Sequence, residues 1–192
     1  ISSGTTGGNY VSGGVTYDVS KVGTYGTTYI QSSTGKYLYV PDVAKVDALG
    51  TAATTTDSFT VSVSDGSLTT TQAFNVSIIG TNDAAVIGGT SSGSVVEAGG
   101  VNNATAGTPT ASGALTSTDV DGAANLFTAV TAGTASTGGY GTYAVTTGGV
   151  WTYTLNNSNV TVQALAQGAT LNDSITVQAA DGTTQVVSIT IT

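Results

Sequence analysis

Among 192 residues there are only eleven acidic side chains, three basic ones and no histidine or cysteine, so any chemistry must come from carboxylates, amides and hydroxyls. Asp119-Val120-Asp121 sets two carboxylates two residues apart, and in an extended segment both point to the same side. Asn82 and Asp83 place an amide beside a carboxylate within Ile79-Gly80-Thr81-Asn82-Asp83-Ala84-Ala85-Val86-Ile87, where one alternating β run ends and another begins. Asp181 follows a further β run. In a Greek-key sandwich that strand end lies beside the turn holding Asp119, and Asn82-Asp83 enters at the same pole. Three or four carboxylates, an amide and backbone carbonyls supply the six to eight oxygens that calcium takes. Without a cation, each close carboxylate pair repels by roughly 1 kcal/mol in water and more inside protein. Asn82, Asp83, Asp119, Asp121 and Asp181 are therefore the candidate Ca2+ ligands. Taken singly, the Asp-Gly pairs at 65, 121 and 181 read as turns; the convergence of several acids on one pole points to a metal.

Other chemistries find no footing. Ser and Thr are abundant, but no His can serve as their base, and Lys21, Lys36 and Lys45 fall in no recognised motif with a Ser. Paired carboxylates in a turn without a substrate cleft fit a metal better than glycoside hydrolysis. The chain reads as a non-enzyme. The usual zinc and copper ligands are missing, and beyond Lys45 every charge is negative. Such a surface repels nucleic acid and anionic lipid and attracts cations. No apolar run approaches the roughly 20 residues that span a bilayer. No signal peptide is present, and the lack of Met reads as a mature product or an excised segment.

The elements that must hold these residues are strands. Residues 1–14 are mostly Gly, Ser and Thr and read as a loop or arm. Val15, Tyr17 and Val19 alternate with polar residues, as in a strand with one buried face. Residues 24–31 and 36–40 form a hairpin about Ser32-Ser33-Thr34-Gly35, and residues 58–64 and 73–79 form a second about Asp65-Gly66. Strands are also expected around Val95 and Leu115 and over 127–130, 140–146, 150–155, 173–179 and 185–191. Residues 43–49 and 160–165 suit no more than a helical turn. The order repeats. Tyr25-Gly26 aligns with Tyr140-Gly141, Tyr37 with Trp151, Tyr39 with Tyr153, Leu49 with Leu165, Asp57 with Asp173 and Asp65-Gly66 with Asp181-Gly182. The expectation is an all-β chain of two tandem antiparallel Greek-key sandwiches, immunoglobulin-like and cadherin-like. Residues 81–192 form a complete repeat and residues 1–80 a partial one without its opening strands. Trp151 reads as a core aromatic rather than a sugar platform, with Tyr37 in the same inward phase.

GALTSTDVDG (113–122), YGTYAVTTGGVWTYTLNNSNVTVQAL (140–165) and LNDSITVQAADGTTQVVSITIT (171–192) resemble the VCBS repeat of very large bacterial surface adhesins of the RTX type, related to bacterial cadherin-like domains. The resemblance covers residues 81–192 well and 23–83 in part. It implies export to the cell surface and tandem arrays that act in adhesion and biofilm formation. By the more distant cadherin analogy, acidic residues bind calcium where domains meet, and Glu97, the only Glu, serves a joint at the opposite pole. The partners expected are neighbouring repeats or identical subunits joined through β-strand edges, with a host or matrix glycan or protein as a further target. A self-assembling filament or surface-layer subunit and a carbohydrate-binding module are the alternatives. The missing opening strands of residues 1–80 are expected from upstream sequence or from a neighbouring subunit.

Overall fold

The computed structural model describes residues 5–122 and 124–192, with side chains from Asn9 onward. The chain divides into two compact units, Ile1–Asp83 and Ala84–Thr192. Both are built from strands whose alternating sequences bury one face.

Unit 2 holds β7 (Val86–Gly89), β8 (Ser92–Val95), β9 (Thr110–Thr118), β10 (Val130–Ala135), β11 (Gly141–Val145), β12 (Val150–Leu155), β13 (Leu171–Gln178) and β14 (Thr184–Ile191). One sheet runs β10-β11-β12-β9-β7 and the other β13-β14-β8, with β8 parallel to β14. The core is what the alternation dictates: Trp151, Tyr153 and Leu155 on β12 face Ile175 and Val177 on β13 and Val187, Ile189 and Ile191 on β14. Val95 of β8 and Leu115 of β9 close it. Trp151 is 0% exposed, and its Nε1–H donates to the Thr90 carbonyl at 2.8 Å. The indole is clamped between Gly93 of β8 and Gly113 of β9. A Cβ at either position would stand 2.8 or 2.6 Å from the ring, so both must be glycine. The short helix α2 (Val160–Gln163) is capped by Asn159, whose side chain accepts from the N–H groups of Thr161 and Val162. Phe127 lies before β10 and makes only a bridge to Ala179; the strand expected over 127–130 instead begins at its last residue.

Unit 1 has β1 (Thr5–Ser12), β2 (Val15–Val22), β3 (Gly26–Ile30), β4 (Tyr37–Pro41), α1 (Val43–Asp47), β5 (Thr54–Ser64) and β6 (Thr69–Ile79). One sheet runs β1-β2-β3-β4, and β5 pairs only with β6. From β2 onward the order matches that from β10 onward. Where the sequence reads as an arm, residues 5–12 form a strand through a tight turn at Gly13-Gly14, both with positive φ. The polar, Gly-rich composition hides this; β1 is ordered by its ladder with β2 and by Tyr10, whose ring stacks on Tyr29 with centroids 4.4 Å apart. Residues 1–4 of that segment lie outside the described residues. β1 pairs with β2, at the opposite edge of the sheet from β4. Among the described residues of unit 1 no strand stands where β7, β8 and β9 stand in unit 2.

Candidate functional site

Each unit is pinned by the same arrangement around one buried aspartate at the start of its penultimate strand. In unit 2, Asp173 Oδ2 accepts from Tyr153 OH at 2.8 Å and Ser136 Oγ at 2.5 Å, and Oδ1 accepts from the N–H groups of Gly138 and Ser174, each at 2.7 Å. In unit 1, Asp57 Oδ2 accepts from Tyr39 OH at 2.7 Å and Tyr25 N–H at 3.0 Å, and Oδ1 from Thr24 N–H at 2.8 Å. The loops that supply these donors share a pattern, Gly23-Thr24-Tyr25-Gly26 and Gly138-Gly139-Tyr140-Gly141. In each, the last Gly lies over the tyrosine ring, where a Cβ would come to 2.5 Å of Cζ. Burial pushes both carboxyls up, but hydrogen bonds outweigh it and hold Asp57 and Asp173 below the ordinary carboxylate value. The same burial, reinforced by the adjacent carboxylate, pushes Tyr39 and Tyr153 well above the usual phenol range. These are structural clasps: each ties the β3–β4 or β11–β12 sheet to the opposing strand, with the carboxylate fully occupied. The internal alignment marked Asp57, Asp173, Tyr39 and Tyr153 without revealing this role.

Of the acidic residues selected from the sequence, Asp119, Asp121 and Asp181 come to one end of unit 2, where Val86 pairs with Thr118 and the Ala180 N–H donates to the Leu126 carbonyl. Asp119 and Asp121 share the loop after β9. Asp119 Oδ1 accepts from the N–H groups of Asp121 at 3.2 Å and Gly122 at 3.0 Å, while Asp119 N–H donates to Asn125 Oδ1 at 2.9 Å. A side-chain hydrogen bond with the Asp121 carboxyl pushes Asp119 above its ordinary value, with desolvation and then the neighbouring charge adding to it. Asn125, which closes the loop, was not among the sequence candidates; its only signal was a position a few residues past Asp121. Asp181 is held at the same end by its own bonds. Its Oδ2 accepts from Ala85 N–H at 2.9 Å and Thr183 Oγ1 at 2.5 Å, its Oδ1 from Thr183 N–H at 3.0 Å, and these bonds hold it below the usual range. It fastens the lead-in to β7 onto the β13–β14 turn. Glu97 lines a separate hollow of about 520 Å³ with Gly99, Gly100, Asn103, Gln163 and Gln167, and its N–H donates to the Thr192 carbonyl at 2.9 Å. In unit 1, the Asn82 side chain donates to the Asp83 carbonyl at 2.5 Å. Among the described residues no three His, Cys, Asp or Glu side chains come together as a metal would require. The Asp119–Asp121 loop therefore offers two carboxylates, part of a calcium shell rather than a closed cage.

A second feature lies in unit 1. Tyr37, two residues before the clasp tyrosine as Trp151 is in unit 2, is 61% exposed rather than turned into a closed core. Its ring packs edge-on against Phe74, with centroids 4.7 Å apart. Together with Val19, Ile30, Val61 and Val63 it lines an open groove of about 480 Å³. The inward phase expected of Tyr37 is kept, but the strands that would cover it are missing from the described residues.

Comparison with known proteins assigns residues 82–192 to the family described as bacterial cadherin-like domain. No curated protein matches the chain.

Proposed function

The chain belongs to the bacterial cadherin-like family, a class of extracellular adhesive and structural repeats, and from that premise we propose that it is an extender of a secreted bacterial surface protein, serving cell adhesion or biofilm formation and stiffened by calcium. The observation that carries the reading is the duplicated clasp. Two copies of one sandwich plan in a single chain, each locked by its own Asp–Tyr pair, are what a load-bearing array needs and what a single-site enzyme does not. The lack of His and Cys, and carboxylates occupied by hydrogen bonds, support a non-enzymatic role. Among the described residues no helix is long and apolar enough to cross a membrane.

Calcium would be held by Asp119 and Asp121, with further oxygens from backbone carbonyls and water. Its contribution would be electrostatic: it would favour the ionised Asp119 against the carboxyl–carboxyl hydrogen bond that raises it, and rigidify the loop after β9. Asn82 and Asp83 of the linker, Asp181 and Glu97 remain candidate ligands for further calcium at the joints between repeats. Extracellular modules bind calcium at about 0.1–1 mM, and free ion at 100 times that constant adds about 2.7 kcal/mol. Thermal melts in calcium and in chelator, on the parent chain and on Asp119→Ala and Asp121→Ala, test this. A calcium-dependent rise in Tm that both variants abolish is expected; a Tm indifferent to chelator would end the calcium assignment. The carbohydrate-binding reading loses its main platform because the Trp151 ring is sealed in the core.

A further inference from the structure

We propose that the parallel ladder between β8 and β14 is the lock that carries tension through unit 2, keeping the unit folded when it is pulled between Ala84 and Thr192. The proposal rests on the reading of the chain as an extender, whose repeats pass force from one neighbour to the next. Every other strand pair described in unit 2 is antiparallel. β14 pairs with β8 in parallel, Ser188 opposite Ser92 and Ile191 opposite Val95. The chain enters the unit at one end, where Ala85 N–H is fastened to Asp181 in the turn before β14. From there β14 runs from Thr184 to Ile191, roughly 25 Å at the rise of a strand, and the chain leaves at the other end through Thr192. A parallel partner makes the entering and leaving strands point the same way. Tension draws β8 back toward the entry and β14 forward toward the exit, so the two slide along each other and all rungs are strained together. Pulled apart from one end instead, the same rungs would break one at a time.

The ladder is reinforced along its whole length. It is bracketed by Ser188 N–H on the Ser91 carbonyl at 3.0 Å, Thr192 N–H on the Val95 carbonyl at 3.1 Å and Glu97 N–H on the Thr192 carbonyl at 2.9 Å. Its inner face is dry, with Val95, Ile189 and Ile191 at most 1% exposed. Water, the competitor for a strained backbone bond, is kept from that side. Gly93 of β8 lies against the Trp151 ring, and Trp151 Nε1–H holds the Thr90 carbonyl just before β8. The indole thus pins the segment that tension would withdraw. β7 lies upstream of the lock and pairs only with β9. Its Val86 is 70% exposed, and detaching it lengthens the chain without breaking the β8–β14 ladder or drawing Val95 from the core.

The test stretches single molecules of the full 192-residue chain, which contains no native cysteine. One handle is a cysteine appended after Thr192, and the other is Thr81→Cys, Ser91→Cys or Val101→Cys, all at exposed positions. β1 to β6 lie outside the stretched segment in all three. Thr81→Cys loads β7 and then the ladder lengthwise, and Ser91→Cys loads the ladder directly. Val101→Cys pulls from the exit end, where Gly100, Asn103 and Thr192 line one hollow, and so peels β14 away from its last residue. Chemical denaturation should show equal stability for the three chains. Forced unfolding reads the unfolding rate instead, so the force should be roughly threefold higher from Thr81→Cys and Ser91→Cys than from Val101→Cys, and equal between the first two. Equal forces from all three would overturn the proposal. So would a force from Ser91→Cys well below that from Thr81→Cys, which would place the tension on β7–β9. Because the handles supply the tension, a failed lock would leave the extender reading to its calcium melts, and failed melts would leave the force ratio standing.

Discussion

At equivalent places in the two units, the same side-chain chemistry meets opposite fates. Trp151 is sealed between Gly93 and Gly113, while Tyr37 stands over an open groove. Val177 and Val187 are fully buried, while Val61 and Phe74 line that groove. The hairpins are alike, and the difference lies in the β7–β9 segment, which only unit 2 has among the described residues. Yet the aspartate clasp is complete in both, with nearly the same distances from tyrosine hydroxyl to carboxylate, 2.8 and 2.7 Å. The lesson is that this fold separates two tasks. A polar clasp made within the four hairpin strands fixes how the sheets meet, and an added strand segment supplies the dry cover.

That separation is open to test by substitution. The largest effect should come from Trp151→Ala: truncating a buried core aromatic costs about 3–5 kcal/mol, and unit 2 should lose its cooperative melt while unit 1 is untouched. The matching change in unit 1, Tyr37→Ala, should stay near 0.5 kcal/mol, as for an exposed residue. Equal costs at the two positions, read by chemical denaturation, would break the comparison. Next come the clasps, where the units should behave alike. Asp57→Ala and Asp173→Ala each strand a tyrosine hydroxyl and backbone N–H groups, at about 3 kcal/mol apiece, and a loss confined to one unit would show that only one clasp matters.

The clasps also set the pH limits. Asp57 and Asp173 have folded-state pKa values below the unfolded value of about 3.9, so the unfolded chain binds more protons in acid. Their stabilisation is present above about pH 4 and is lost as the pH falls through the folded values. Tyr39 and Tyr153 are raised instead. Their contribution is present below the unfolded value of about 10 and is lost as the pH rises beyond it. Stability should therefore form a plateau between these limits, and Tyr153→Phe should weaken the alkaline fall in unit 2. The smallest effect belongs to the turn acids: Asp65, which accepts from Ser67 and Leu68 N–H, is an exposed turn cap, and Asp65→Asn should shift Tm little.

The fold was legible where burial wrote a period into the sequence. Val150 to Leu155 and Asp173 to Ala179 alternate because one face is dry, both unit 1 hairpins keep that alternation with the face only partly covered, and the repeated Tyr-Gly, Tyr and Asp positions revealed the duplication. β1 was not legible, because its ladder with β2 and the single Tyr10–Tyr29 stack leave no apolar alternation in Thr5–Ser12. The start of β10 was misplaced because Phe127 is apolar for a different reason: it packs into the core from the approach to the strand. The acidic pole was harder still. Asp119 and Asp121 could be paired from spacing alone, but the partners of Asp181, the Ala85 N–H and Thr183, lie in a backbone approach and a local turn that spacing does not encode. Asp57 and Asp173 were visible as aligned residues, but the bonds that occupy them come from loops 32 and 35 residues away in sequence.

The central claim, that one unit is covered and the other is not, is tested most directly by amide hydrogen exchange on the intact chain. Amides of β12 and β14, each bonded on both sides, should exchange only by global opening of unit 2, while those of β4 and β6 in unit 1 should exchange at least tenfold faster, with the residues nearest the Asp57 clasp the slowest there. Equal protection of β6 and β14 in a monomeric chain would contradict the account, because an uncovered strand edge cannot be as well shielded as one bonded on both sides.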